Sequence, residues 1–360
     1  MKKYILLTAG YEYQNGGTFV GLADQRRQFL LGKHPEWRND PEVIFVRFDP
    51  KSGKIDRNTS AAGAGTWTPE PVNFEAVNRR VHYREGHLLP SDNRLMSITD
   101  VYRYAINIGA TEPGTLLEFS IIGHGWFGGP ILLNSFQRDE YTASGDNAAL
   151  RDPWDKDGRT KDFFNQNMSD ADWENFKNAF ASDGYAWIWG CLFPRAYYDT
   201  LYKFMQTPEF KAKPMASLTD SDSFTITVNS TFVNDYYNVD RQFFPTDDNT
   251  KTFTRSLLDL KQYLKRGIRR SYPGRFVSDT GITCVAGYLG TYSDYERSYP
   301  GHPAPHPVMV IPRNASVFGT DFTRVINFYK TFLNIPEDPD GRGYAIYNAV
   351  QVNQWWIDTQ

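Results

Sequence analysis

Only two cysteines, Cys191 and Cys284, occur in 360 residues. No disulfide framework can be built from so few, and a reducing compartment fits that usage. No apolar run approaches the ~20 residues of a membrane span. Neither charge sign dominates: 39 Lys+Arg stand against 42 Asp+Glu, for a formal net charge of −3. Such a balance argues against a nucleic-acid partner held chiefly by phosphate neutralisation. The chain also lacks a Gly-x-Ser-x-Gly elbow, which disfavours an esterase or other serine hydrolase of the α/β class.

What is present reads as a globular chain. It is 40% hydrophobic, 22% charged and 16% aromatic, too apolar for disorder and long enough for one elaborated domain or two smaller ones. Lys2-Lys3 followed by Tyr4–Ala9 faintly resembles a signal peptide. The apolar run is short and Tyr11-Glu12-Tyr13-Gln14 follows at once, so a first strand and a cytoplasmic location are expected. The sequons at Asn58, Asn167, Asn229 and Asn314 would matter only in a secreted protein.

The first third alternates strand and helix. Tyr4–Leu7 predicts a strand, Leu22–Gly32 a helix closed by Gly32, and Val43–Phe48 a second strand between Pro41 and Pro50. Lys51 to Pro71, rich in Gly, Ser, Thr and Pro, is expected to be loop. Ser97-x-x-Asp100 resembles a capping box; Val101, Tyr102, Ala105 and Ile108 follow at helical spacing up to Gly109. Leu116–Ile122 is an apolar run, and the strand–helix order implies a parallel sheet with helices on both faces. Residues 137–170 are polar and acidic and read as an insertion. Ser169 then starts a helix with Trp173, Phe176 and Phe180 on one face, leading into the apolar run Tyr185–Cys191. A helix over Tyr197–Met205 follows.

Beyond Thr207 the pattern loosens. Strands are expected at Phe224–Val228, Gly281–Gly287 and Val308–Ile311. Ser256–Arg270 predicts an amphipathic helix with Leu257, Leu260, Leu264 and Ile268 inward. Its basic residues Lys261, Lys265, Arg266, Arg269 and Arg270 form a solvated face. Thr320 caps a last helix with Phe322, Val325, Ile326, Tyr329 and Phe332 on its apolar side.

Two of the apolar runs end in a small residue and then a reactive one: Ile121-Ile122-Gly123-His124-Gly125 and Ile188-Trp189-Gly190-Cys191. The carboxyl ends of neighbouring strands in an open α/β sheet line one crevice, where ligands bind. An imidazole facing a thiol there can take or stabilise its charge and make it a nucleophile. The backbone N–H groups of Gly125 and Cys191 could together hold an oxyanion.

Ser120-Ile121-Ile122-Gly123-His124-Gly125 with Gly128-Gly129-Pro130-Ile131-Leu132-Leu133, followed by Trp187-Ile188-Trp189-Gly190-Cys191, resembles the histidine and cysteine blocks of the caspase-like cysteine peptidases. That clan includes caspases, legumains, gingipains, separases and CHAT domains. The resemblance covers roughly Lys3 to Met205. It implies a caspase–hemoglobinase-like α/β fold, a core over residues 1–206, and a part over 207–360 that completes the sheet and the substrate groove, or one continuous domain. It also implies Cys191 as nucleophile, His124 as general acid/base and Gly125 as oxyanion donor, acting on a protein or peptide substrate. The chain following the cysteine block builds the clan's substrate pocket, which makes Tyr288, Tyr292 and Asp294 candidate lining residues.

The separation of His124 and Cys191, 67 positions (191 − 124), exceeds the about 50 of caspases; the acidic insertion absorbs the excess. Relatives that cut after Arg or Lys often carry an acidic residue where this chain has Trp189. The competing expectation keeps the fold and drops the chemistry, leaving a binding or assembly module.

The remaining candidates have plainer readings. Cys284, inside Ile282-Thr283-Cys284-Val285-Ala286, is expected in the core. Asp152, Asp155, Asp157 and Asp162 around Gly158 suggest a calcium loop. The EF-hand template fails there, since Pro153 and Phe164 fill its first and twelfth positions. His302 and His306 lack a cysteine or carboxylate at ligand spacing, so no metal is expected there. The thiol chemistry itself needs no cofactor.

Overall fold

The computed structural model describes residues 2–12, 17–50, 52–59, 66–72, 96, 98–134, 168–192, 196–228, 240–245, 252–291, 293–294, 309–310 and 321–358. The strands used below are β1 (Lys3–Ala9), β2 (Val43–Asp49), β3 (Lys54–Thr59), β4 (Thr68–Glu70), β5 (Leu116–Ile122), β6 (His124–Trp126), β7 (Gly129–Ile131), β8 (Phe180–Trp189), β9 (Ser223–Thr227), β10 (Thr252–Ser256), β11 (Thr283–Ala286) and β12 (Ala345–Tyr347). The helices are α1 (Val20–Lys33), α2 (Ile98–Thr111), α3 (Asp170–Ala179), α4 (Ala196–Gln206), α5 (Leu257–Arg270), α6 (Tyr272–Thr280), α7 (Asp321–Leu333) and α8 (Ala349–Asp358).

Eight of these strands form one sheet in the order β12-β11-β8-β5-β1-β2-β3-β4. The five from β11 to β2 pair in parallel, while β12, β3 and β4 add by antiparallel pairing. The chain steps from β1 to β2 in one direction across the sheet and makes its later crossovers in the other. Right-handed connections therefore put α1 on one face and α2 and α3 on the opposite face. Alternate strand residues divide accordingly. Ile5, Leu7, Phe45, Trp187 and Trp189 pack with Ala23 and Leu30 of α1. Leu6, Val46, Phe119 and Ile188 pack with Val101, Phe176 and Leu264 in the larger core.

Several expectations need correction. The segment expected as loop between Lys51 and Pro71 contains β3 and β4. Their polar residues hid them: Asp56 binds Arg47, and the buried Asn58 accepts from Arg27 of α1 at 2.8 Å. Phe180 opens β8 instead of lining α3. Arg266 is buried, its Nε donating to Asp240 at 2.7 Å, and so is not part of the solvated face of α5. Helix α6, for which the sequence carries no expectation, begins with Tyr272-Pro273-Gly274; the proline sits in its first turn, where a missing N–H costs nothing.

Gly32 and Gly109 both lie inside helices that continue to Lys33 and Thr111. At Gly109 the reason is contact. A Cβ there would stand 1.7 Å from the carbonyl oxygen of Asn175 on α3, so α2 and α3 touch backbone to backbone. Gly109→Ala is expected to destabilise the protein by roughly 1–3 kcal/mol, toward the upper end, despite alanine's better helix propensity. Chemical denaturation reads this directly, and an unchanged or higher midpoint would refute the close contact.

Candidate active site

Strands β5 and β8 are neighbours, with Ser120 opposite Trp187, Ile121 opposite Ile188 and Ile122 opposite Trp189. Extending that register sets Gly123 beside Gly190 and His124 beside Cys191. The backbones stay in contact past the strand ends. A Cβ on Gly190 would lie 2.8 Å from the Gly125 nitrogen and 3.0 Å from the His124 carbonyl carbon. A Cβ on Gly125 would lie 2.9 Å from the Cys191 oxygen and 3.3 Å from its nitrogen. The two reactive residues thus leave adjacent strands at one level, at the carboxyl edge of the sheet. The order β2-β1-β5-β8 also reverses direction between β1 and β5, which makes this end the natural ligand crevice.

His124 opens the hairpin β6–β7, where it pairs with Ile131 while Gly125 pairs with Pro130. Phe19, at the start of α1, packs edge-on against the imidazole with ring centroids 5.7 Å apart. Cys191 is half-buried, whereas Cys284 is fully buried, and burial pushes the Cys284 thiol well above its ordinary pKa. Cys284 is therefore a core residue, inert as a nucleophile. The Cys191 sulfur accepts a hydrogen bond from the Ser293 N–H at 3.3 Å and lies 3.7 Å from the Ser293 carbonyl oxygen.

The chain after β11 reaches Cys191 and Leu192 through backbone groups. Leu192 N–H donates to Thr291 O at 3.0 Å, and Gly290 N–H to Leu192 O at 2.7 Å. Tyr288 is buried against Tyr329, with centroids 5.2 Å apart, and so faces the core instead of a groove. Tyr292 lies outside the described residues, as do Asp152, Asp155, Asp157, His302 and His306; Asp294 is described only as a strand residue opposite Met309. Among the described residues no group of three His, Cys, Asp or Glu could hold a metal ion. Among them, too, no helix is long and apolar enough to cross a membrane. Cavities among the described residues also lie apart from the crevice. One of about 310 Å³ sits beneath α1 near Trp37, Tyr185 and Ile346, and one of about 510 Å³ lies between α4 and β9.

Behind the crevice, on the α1 face, lies an ionic cluster that the sequence reading missed. The Arg26 and Glu118 side chains are 0% and 2% exposed. Arg26 donates from Nε and Nη2 to the two oxygens of Glu118 at 2.9 and 2.8 Å, and from Nη1 to Asp340 at 2.8 Å. Burial pulls the guanidinium toward neutrality, but Glu118 more than reverses this, so Arg26 holds its proton more tightly than an ordinary arginine. Tyr185 donates to Glu118 at 2.7 Å and Ser120 donates to its other oxygen. The Trp189 indole N–H donates to Ser120 at 3.0 Å. The Arg26 guanidinium also lies over the stacked rings of Trp187 and Trp189, 4.6 and 4.9 Å from their centroids. One signal was readable: a lone glutamate within Leu-Leu-Glu-Phe-Ser-Ile-Ile requires a buried cation.

The loop from Asp338 to Tyr344 closes over this cluster. The Asp338 carboxylate accepts N–H bonds from Asp340, Arg342 and Tyr344; burial nonetheless pushes its pKa up to about 6. Arg342 is buried, and burial together with nearby Arg26 lowers its pKa to about 10. No protein-family model, curated protein or solved structure matches the chain.

Proposed function

We propose that the chain is a cysteine endopeptidase of caspase-like fold, with Cys191 as nucleophile and His124 as general acid and base. The observation that carries this reading is the register of β5 and β8. It sets an imidazole and a half-buried thiol at the same level on neighbouring strand ends. The order β2-β1-β5-β8-β11 supports it as well, because it reverses between β1 and β5 and so opens a ligand crevice at the strand ends that carry both residues.

The chemistry follows from those positions. The Cys191 thiolate adds to a peptide carbonyl, and the N–H groups of Gly125 and Cys191 hold the oxyanion. Each such donor is worth roughly 3–4 kcal/mol. Collapse breaks the C–N bond as His124 gives its proton to the leaving amine. A water molecule, deprotonated by His124, then releases the acyl group and restores the thiol.

A peptide library assayed with the parental protein and with Cys191→Ala tests the reading. Turnover of at least one peptide is expected, reduced about a thousandfold or more in the variant. Equal hydrolysis by both proteins would reject Cys191 as nucleophile. No hydrolysis, with no labelling of Cys191 by a thiol-directed peptide probe, would favour the binding or assembly module.

A further inference from the structure

We propose that Tyr344 is a positioning residue for Cys191: its hydroxyl fixes Ser293 so that the Ser293 N–H donates to the sulfur and favours the thiolate. The inference rests on the reading of Cys191 as nucleophile. Ser293 offers the sulfur two partners, an N–H at 3.3 Å and a carbonyl oxygen at 3.7 Å. A thiolate can accept from the first, whereas a thiol can donate to the second. How Ser293 is held therefore biases the protonation state, since a hydrogen bond made to the charged form favours it.

Ser293 lies on a strand of only two residues, paired with Met309–Val310. Its side chain reaches across to Tyr344, whose hydroxyl donates to Ser293 Oγ at 3.3 Å. Tyr344 is a firm anchor. Its ring stands edge-on to Trp187 and Trp189, at 5.7 and 5.5 Å, and its N–H donates to Asp338 at 2.8 Å. Trp189 is held in turn by Ser120. A phenylalanine would satisfy the ring packing equally well; the hydroxyl is the part that extends the anchor to the crevice.

Among the described residues, the ionisable groups on the elements named here are His124 on the neighbouring strand end, Tyr344 itself, and, behind Trp187 and Trp189, Arg26, Glu118, Tyr185 and Asp340 with Asp338 and Arg342. Tyr344→Phe and Ser293→Ala both remove the bond between the two hydroxyls, and leave the Tyr344 N–H bond to Asp338 and the Arg26–Asp340 pair in place.

The test is the pH dependence of iodoacetamide alkylation at Cys191 in the native full-length chain, with Cys191→Ala as baseline, since Cys284 is buried. In Tyr344→Phe, and separately in Ser293→Ala, the alkylation midpoint is expected to rise by about half to one pH unit. The rate at neutral pH should fall about three- to tenfold, as the loss of one hydrogen bond would give. The double variant should lose no more than either single, because both remove the same bond. Ser293→Ala serves independently should Tyr344→Phe fail to fold. A parental alkylation profile in a folded variant, or additive losses in the double, would overturn the positioning role. Alkylation needs no peptide turnover, so the result stands apart from the outcome of the library assay.

Discussion

Gly190→Ala is expected to lower kcat/KM about a hundredfold or more while leaving most of the fold's stability in place. The new Cβ would have to sit 2.8 Å from the Gly125 nitrogen and 2.9 Å from its Cα. Both are backbone atoms of the hairpin that opens with His124, so no side chain can rotate away. The strand ends must part, and they can do so because the contact lies beyond the last paired residues, Ile122 and Trp189. A displacement near 1 Å between reacting groups is enough for a hundredfold loss. The same movement shifts the Gly125 N–H away from the position it needs for an oxyanion. Turnover on the best library peptide and a denaturation curve, measured together, check this. Parental turnover would show that the closeness of the two ends has no part in the chemistry.

The two strands that end in the candidate dyad were legible in the sequence for a physical reason. A strand in the middle of a parallel sheet is buried on both faces, so Leu116–Ile122 and Tyr185–Trp189 read as nearly continuous apolar runs. The edge strands β3 and β4 carry no such signal, because Asp56 and Asn58 find ionic and hydrogen-bonding partners there. What surrounds the cysteine was hidden by distance along the chain. Ser293 reaches Cys191 from 102 positions away, and Tyr344 reaches Ser293 from 51. Neither leaves a local period. Tyr288, a candidate by its place after β11, packs its ring against Tyr329 of α7 in the core. That partner lies 41 positions (329 − 288) further along the chain, so no local pattern announces it.

The largest loss of stability is expected from Glu118→Gln, at about 3–5 kcal/mol, because it leaves a buried guanidinium short of its main counter-charge. Glu118 takes both hydrogen bonds of a forked pair with Arg26 and also accepts from Tyr185 and Ser120. The amide of glutamine would present an N–H to one of those donors. Asp340 could not compensate fully, since it already binds Lys33 at 2.6 Å and accepts a single bond from Arg26. Arg342 nearby makes the uncompensated positive charge worse. If the cost comes from the stranded charge, removing that charge should restore most of it. Arg26→Met combined with Glu118→Met is thus expected to be clearly more stable than Glu118→Gln alone, with Asp340 still held by Lys33. Urea denaturation of the parent, the single variant and the double variant separates the cases. A double variant as unstable as the single would mean that the cluster acts through packing between α1 and the tryptophans, and a single variant within about 1 kcal/mol of the parent would mean that water reaches the pair.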